Sequence, residues 1–326
     1  MEQRRIGSLH ASVVGLGCNQ FGTKSCDEDT STQVIGEALD AGITYFDTAD
    51  EYGAAYFDPD DPSGWGRSEE ILGAALRSRR DEVVIATKFG VHPHGDAERG
   101  GASARWARRA VEDSLRRLGT DRIDLYQLHF PDPSVPVDET LAALDELVTA
   151  GKVREIGCCN FSAAQLEEAA DVAVAAGHHP FVSLQSALNL FQRGALDDVL
   201  PACERLGVAF IPYYPLASGM LTGKYRRGEP IPDNTRLSEQ VTEDARARLF
   251  SDRTFARLEA LEAFAQARGH TLLELAFAWL LAQPSVATVI AGAAKPGQAA
   301  ANAGAAGWHL TPDDAAAAVQ AIVDAA

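Results

Sequence analysis

The sequence is predicted to fold as one (β/α)8 barrel of the α/β class, a TIM barrel, with a short N-terminal β-hairpin cap and a C-terminal helix. Three observations carry this. Short apolar runs alternate with helical patterns from residue 30 almost to the end. The runs number eight, whereas an open doubly wound sheet has about six strands and a barrel needs eight in roughly 250 residues. No linker-like stretch interrupts the alternation, so a single domain over 1–326 is expected.

Residues 1–28 read as the hairpin cap, with Arg4 to Ile6 turning at Gly7-Ser8 ahead of the first barrel strand. The candidate barrel strands are 43–47, 83–88, 123–129, 153–159, 181–185, 208–212, 287–291 and 307–310. Most are near-continuous apolar runs, as strands buried on both faces should be. Between them lie amphipathic helices: Ala107, Val111, Leu115 and Leu118 share one face of residues 103–118. Ser162 with Gln165, and Thr271 with Glu274, match the capping box that satisfies orphan amides at a helix start. Gly42, Gly119, Gly151, Gly177 and Gly207 each stand where a helix must end before a strand. The Ala-rich tail from Thr311 suits a closing helix with Val319, Ile322 and Val323 on one side. Residues 226–245 hold Pro230, Pro232, Asn234 and many charges without periodicity, which marks a long loop of the kind that often serves as a lid.

Composition narrows the function. With 46% hydrophobic and 23% charged residues the chain is an ordinary globular protein. Its 29 basic against 46 acidic residues leave a net charge of −17, which repels phosphate backbones and anionic lipids and argues against nucleic-acid or membrane partners. No apolar stretch approaches the roughly 20 residues that cross a bilayer. Five cysteines at irregular spacing, two of them adjacent, and no secretory signal suggest reduced thiols and a cytoplasmic location.

Active sites of such barrels sit at the C-terminal ends of the strands. Asp47 ends the first candidate strand, Lys88 the second and His129 the third, with Tyr52 just beyond Asp47. Each alone has a structural reading: a cap, a packed ring, a hydrogen-bonding histidine. Together they form a coherent acid. A tyrosine of pKa near ~10 donates poorly at neutral pH, a neighbouring lysine cation favours its phenolate, and an aspartate holds that lysine charged and in place. Histidine can orient a carbonyl oxygen. The set suits protonation of an alkoxide formed as hydride arrives at carbon, and the hydride requires a nicotinamide cofactor.

These residues stand in a series of motifs: Phe46-Asp-Thr-Ala-Asp-Glu-Tyr52-Gly, Gly66-Arg-Ser-Glu-Glu-Ile-Leu-Gly73, Ala86-Thr-Lys88, Asp124-Leu-Tyr-Gln-Leu-His129, Ile156-Gly-Cys-Cys-Asn160-Phe-Ser162 and Tyr214-Pro-Leu-Ala-Ser-Gly219. Over nearly its whole length the sequence resembles the aldo-keto reductase family, and most closely its bacterial, potassium-channel-β-like branch. The resemblance implies Tyr52 as general acid, Lys88 and Asp47 as its tuning groups, and His129 as a binder of the substrate oxygen. It further implies that Asn160 and Gln185 hold the nicotinamide carboxamide, that Tyr213 stacks on the ring, and that Leu216, Ser218, Leu221 and Lys224 cover the pyrophosphate. Gly292, Lys295, Gln298 and Asn302 fall where the family binds the adenosine end. Pro296 suits the first turn of a helix there, with Gln298 and Asn302 on one face. Lys295 can pair with a 2′-phosphate, which favours NADPH over a still possible NADH.

The expected reaction is NADPH-dependent reduction of a small aldehyde or ketone. Two alternatives stay open: a cofactor-binding regulatory subunit with slow turnover, and a dehydrogenase acting on a sugar or secondary metabolite. Three departures from the family pattern stand out. Cys159 replaces a serine, Tyr214 replaces a smaller residue, and residues 54–65 insert after the motif of Tyr52 as a mouth loop able to shape substrate choice. Arg67 and Trp106 are further candidates for the mouth. Gly15-Leu-Gly17 lacks the third glycine of a dinucleotide fingerprint and reads as a turn near the mouth. His92, His94, His178 and His179 lack thiol or carboxylate partners at ligand spacing, so no metal is expected.

Overall fold

The computed structural model describes residues 1–53, 64–92, 100–233, 235–239, 242, 246–247 and 249–325. Strands β1 (Gln3–Ile6) and β2 (Leu9–Ser12) form an antiparallel hairpin. Eight parallel strands follow: β3 (Val14–Gly17), β4 (Tyr45–Asp47), β5 (Val84–Phe89), β6 (Ile123–Leu128), β7 (Val153–Cys159), β8 (Ser183–Ala187), β9 (Ala209–Tyr213) and β10 (Val289–Gly292). They pair in the order β10-β3-β4-β5-β6-β7-β8-β9. The ring closes between β9 and β10 through a parallel bridge of Phe210 with Val286. The expected (β/α)8 barrel with its N-terminal hairpin is present.

One strand differs from expectation at each end of the count. Residues 307–310 are not a strand; Gly307 ends a 3-10 turn over Ala305–Gly307, and 308–310 are irregular. The first barrel strand is instead Val14–Gly17, inside the region read as cap and turn. Its glycines serve packing. A Cβ on Gly15 would stand 2.7 Å from the Tyr45 ring, and one on Gly17 would stand 2.9 Å from Ile290 Cγ2. Large neighbours fill the barrel where this strand has no side chains, so the run loses the apolar bulk that marks a buried strand.

Period-two alternation divides the barrel interior into levels. Tyr45, Val84, Ala86, Leu125, Ile211, Ala287 and Ile290 form an apolar cluster with Ile6, Leu9 and Ala11 of the hairpin. The hairpin therefore plugs the N-terminal end. Two residues further along the same strands stand Asp47, Lys88 and Gln127, and beside them Cys159 and Gln185, all buried. The other face of the strands packs against the helices in the larger core.

The helices begin and end as their sequences require. Ser103 accepts from Trp106 N to start Ala104–Leu118, and Gly119 ends it at φ +61°. Both capping boxes form, before Ala163–Ala176 and Leu272–Leu281. Helix Pro312–Asp324 is present, but it buries Ala315, Ala318 and Ile322 and leaves Val323 exposed, because a 3.6-residue period turns position 323 away from the core. Helix Gln298–Gly304 starts after Gly297, so Pro296 precedes the helix and does not occupy its first turn.

Candidate active site

Asp47, Lys88 and His129 meet at the C-terminal mouth because each ends or follows a neighbouring strand. Tyr52 is placed by the turn after β4. That turn is fixed to the adjacent strand by Thr48 N to Ala86 O (2.9 Å) and Asp50 N to Lys88 O (3.0 Å). Tyr52 O in turn accepts from Ser68 N at 3.0 Å, where the next helix begins.

Lys88 is fully buried and donates to Asp47 Oδ2 at 2.5 Å, to Thr48 O at 2.9 Å and towards Tyr52 Oη at 3.5 Å. Its ammonium also lies 4.9 Å from the centre of the Tyr52 ring. The second oxygen of Asp47 accepts from Gln185 Nε2 at 2.8 Å, with Gln127 Nε2 at 3.5 Å. The aspartate is thus held on both sides, as a buried charge must be. The Tyr52 and His129 rings meet edge to face with centroids 5.8 Å apart, and Phe130 stacks on His129 at 4.9 Å. Burial and the Lys88 cation push His129 well below the ordinary imidazole range, so it is neutral. The four residues singled out from sequence therefore share one site.

Glu51 is an addition that strand-end reasoning overlooked. Its carboxyl is buried, Oε1 lies 3.2 Å from His129 Nδ1, and burial raises it from 4.5 to about 7 against the opposing pull of Lys88. The sequence signal was an acid directly before Tyr52 in a segment destined for a barrel mouth. Gln127, which completes the cradle of Asp47, sits two residues before His129 on the inward face of β6 and was legible by the same alternation.

The fold agrees with what known proteins show. The model of the Aldo/keto reductase family matches residues 13–323. The chain belongs to the aldo/keto reductase family. It is 36% identical to Aldo-keto reductase YhdN of Bacillus subtilis (strain 168), over 94% of this chain and 88% of that protein. It is 33% identical to a probable voltage-gated potassium channel subunit beta of Oryza sativa subsp. japonica, over 91% and 89% of the two chains. The structure of the glycerol dehydrogenase AKR11B4 from Gluconobacter oxydans superposes with a TM-score of 0.81 at 32% identity, covering 99% of this chain and 95% of that one. This aldo/keto reductase is accordingly an NAD(P)-dependent oxidoreductase, as its motifs implied.

The remaining residues singled out in this aldo/keto reductase lie on or after strands β7, β8, β9 and β10. Asn160, at φ +61°, donates to His129 O at 3.0 Å and accepts from Tyr213 Oη at 3.0 Å, which fixes the Tyr213 ring. After Tyr214, which bonds Ser218 Oγ at 2.9 Å, residues Ala217, Ser218 and Gly219 all adopt positive φ. Leu216 O accepts from Gly219 N and Leu221 N, and the Leu221 side chain is in the core. A Cβ on Gly219 would come 2.9 Å from Lys224 Nζ. Burial and then the Lys295 cation lower Lys224. Gln298 Oε1 accepts from Ala294 N (2.9 Å) and Lys295 N (3.2 Å), which shapes the loop that carries Lys295. Asn302 is buried one turn further along, and Gly292 is exposed at the end of β10.

Arg67 pairs with Glu28 and with Glu70 at the surface, and Trp106 is buried in the outer core. The Cys159 thiol points to Gln127 Oε1 and Cys158 to Ser183 O, on opposite faces of β7. His178 and His179 both face Asp145. Residues 54–63 of the inserted mouth loop, His94, and residues 234, 240–241 and 243–245 of the long loop lie outside the described residues.

Proposed function

We propose that this enzyme reduces a small aldehyde or ketone to an alcohol with NADPH, and that Tyr52 supplies the proton. The observation that carries the reading is the buried Asp47–Lys88 pair aimed at the Tyr52 hydroxyl. Asp47 fixes the Lys88 ammonium in place where it is cut off from water. The cation favours negative charge on the phenol oxygen, so Tyr52 releases its proton more readily. His129 orients the substrate oxygen beside Tyr52. Asn160, Gln185 and Tyr213 would hold the nicotinamide end, and Lys224 and Lys295 the phosphates, with Lys295 selecting the 2′-phosphate. When bound, the nicotinamide supplies the hydride.

Two substitutions test this. Tyr52→Phe is expected to lower kcat for carbonyl reduction by about 10²–10⁴-fold while NADPH affinity, read by fluorescence titration, stays within a few-fold. A parallel loss of both would remove Tyr52 from the proton step. Lys295→Ala is expected to weaken NADPH at least about tenfold and NADH little, as fits loss of one charge-assisted contact. Equal losses would make Lys295 a surface cation only. The same groups serve alcohol oxidation in reverse, and the likeness to a glycerol dehydrogenase supports that second direction.

A further inference from the structure

We propose that Glu51 is a positioning residue that selects the tautomer of His129, and so decides whether its other nitrogen donates or accepts a hydrogen bond at the substrate oxygen. This deepens the reductase reading and rests on it, since it takes His129 as the group that meets that oxygen.

The geometry is specific. His129 Nδ1 is buried and, among the described residues, has no aligned hydrogen-bond partner; Glu51 Oε1 lies within reach of it at 3.2 Å. Both side chains are more than nine-tenths buried, so water does not screen the contact. The contact is close enough to align with a small rotation of either group. Nε2 is the nitrogen left for substrate.

The charged and titratable groups around the pair are few. Lys88 acts on both, from β5. Tyr52 follows Glu51 on the same turn and meets the His129 ring at its edge. Asp47 is committed to Lys88 and Gln185. Asp50, on the other side of Glu51, acts on Arg117 and Tyr126. Because His129 is held neutral, its single ring proton must sit on one nitrogen or the other.

Two states follow. A neutral Glu51 donates its proton to Nδ1, and the ring then carries hydrogen on Nε2, ready to donate to a carbonyl oxygen. An ionised Glu51 accepts from Nδ1–H, and Nε2 then presents a lone pair that suits an alcohol hydroxyl. The states differ by one proton released to solvent, with no redox change. The acidic form favours reduction and the basic form oxidation.

The test uses the cofactor-free protein labelled with ¹⁵N-histidine, with the His129 signals assigned by their absence in His129→Asn. From about pH 5.5 to about pH 8.5, across the range where histidine environments titrate, His129 is expected to pass from the Nε2–H to the Nδ1–H form, with its midpoint near the value of about 7 for Glu51. In Glu51→Gln, whose amide cannot ionise, one tautomer should persist throughout. A constant tautomer in the unaltered protein, or the same transition in Glu51→Gln, would overturn the proposal. With a carbonyl substrate, kcat/KM for reduction should fall about tenfold per pH unit above the midpoint and lose that limb in Glu51→Gln; an unchanged profile would likewise overturn it. Complete absence of turnover would sink the reductase reading instead, and the tautomer measurement would still decide the role of Glu51.

Discussion

At the scale of single residues, the site is governed by where charge is taken out of water. Lys88 and Asp47 are each held by several hydrogen-bond partners, whereas burial raises Glu51 against the pull of the nearby Lys88 cation. That difference has a consequence for stability. Well below about pH 4.5 Glu51 is protonated in both the folded and the unfolded protein, and no charge has to be buried. As pH rises towards about 7 the unfolded chain ionises first, and stability is lost until the folded carboxyl ionises too. The rise from 4.5 to about 7 corresponds to roughly 3 kcal/mol at full extent. Glu51→Gln is therefore expected to stabilise the protein by up to about 3 kcal/mol near pH 8 and by less than about 1 kcal/mol near pH 5. Urea unfolding at the two pH values checks this; equal effects would mean the carboxyl is not desolvated.

At the scale of elements, the strand most easily overlooked is the one whose side chains are absent. Val14–Gly17 is short and half glycine, so its sequence carries the signature of a turn. Its identity depends on Tyr45, Thr288 and Ile290, residues remote in sequence that fill the space beside its glycines. Gly15 is not at a positive φ, so its substitution is a matter of packing alone. Gly15→Ala is expected to destabilise by about 1–3 kcal/mol through overpacking against Tyr45, one pair below the Asp47 level. A denaturation midpoint equal to that of the unaltered protein would show that the barrel relaxes at that point. By contrast, the capping boxes and the inward alternation of β5 and β6 were legible locally, because both depend on residues within one element.

At the scale of the whole molecule, stability and chemistry occupy opposite ends of one barrel. The hairpin closes the N-terminal end with Ile6, Leu9 and Ala11, and Arg4 ties it to Leu281 O (3.0 Å) and Val286 O (2.8 Å). The polar level begins two residues further up the strands. Ile6→Ala, at a fully buried site, is expected to cost about 2–5 kcal/mol in urea unfolding while leaving kcat near its original value. A large fall in kcat at unchanged fold content would mean that the plug also orders the mouth. Among the described residues no helix is long and apolar enough to cross a membrane.

The alternation of strands and helices from residue 43 to residue 292, the caps and the clustering of Asp47, Tyr52, Lys88 and His129 at strand ends were written in the sequence itself. Local periodicity and strand-end position are properties of neighbouring residues, and family motifs preserve them in order. Three features came only with the tertiary structure: the first strand, the meeting of Glu51 with His129, and the effect of the Lys295 cation on Lys224. Each depends on burial or on distances between segments far apart in the chain. Desolvation and Coulomb interaction act through space, and sequence spacing does not record them.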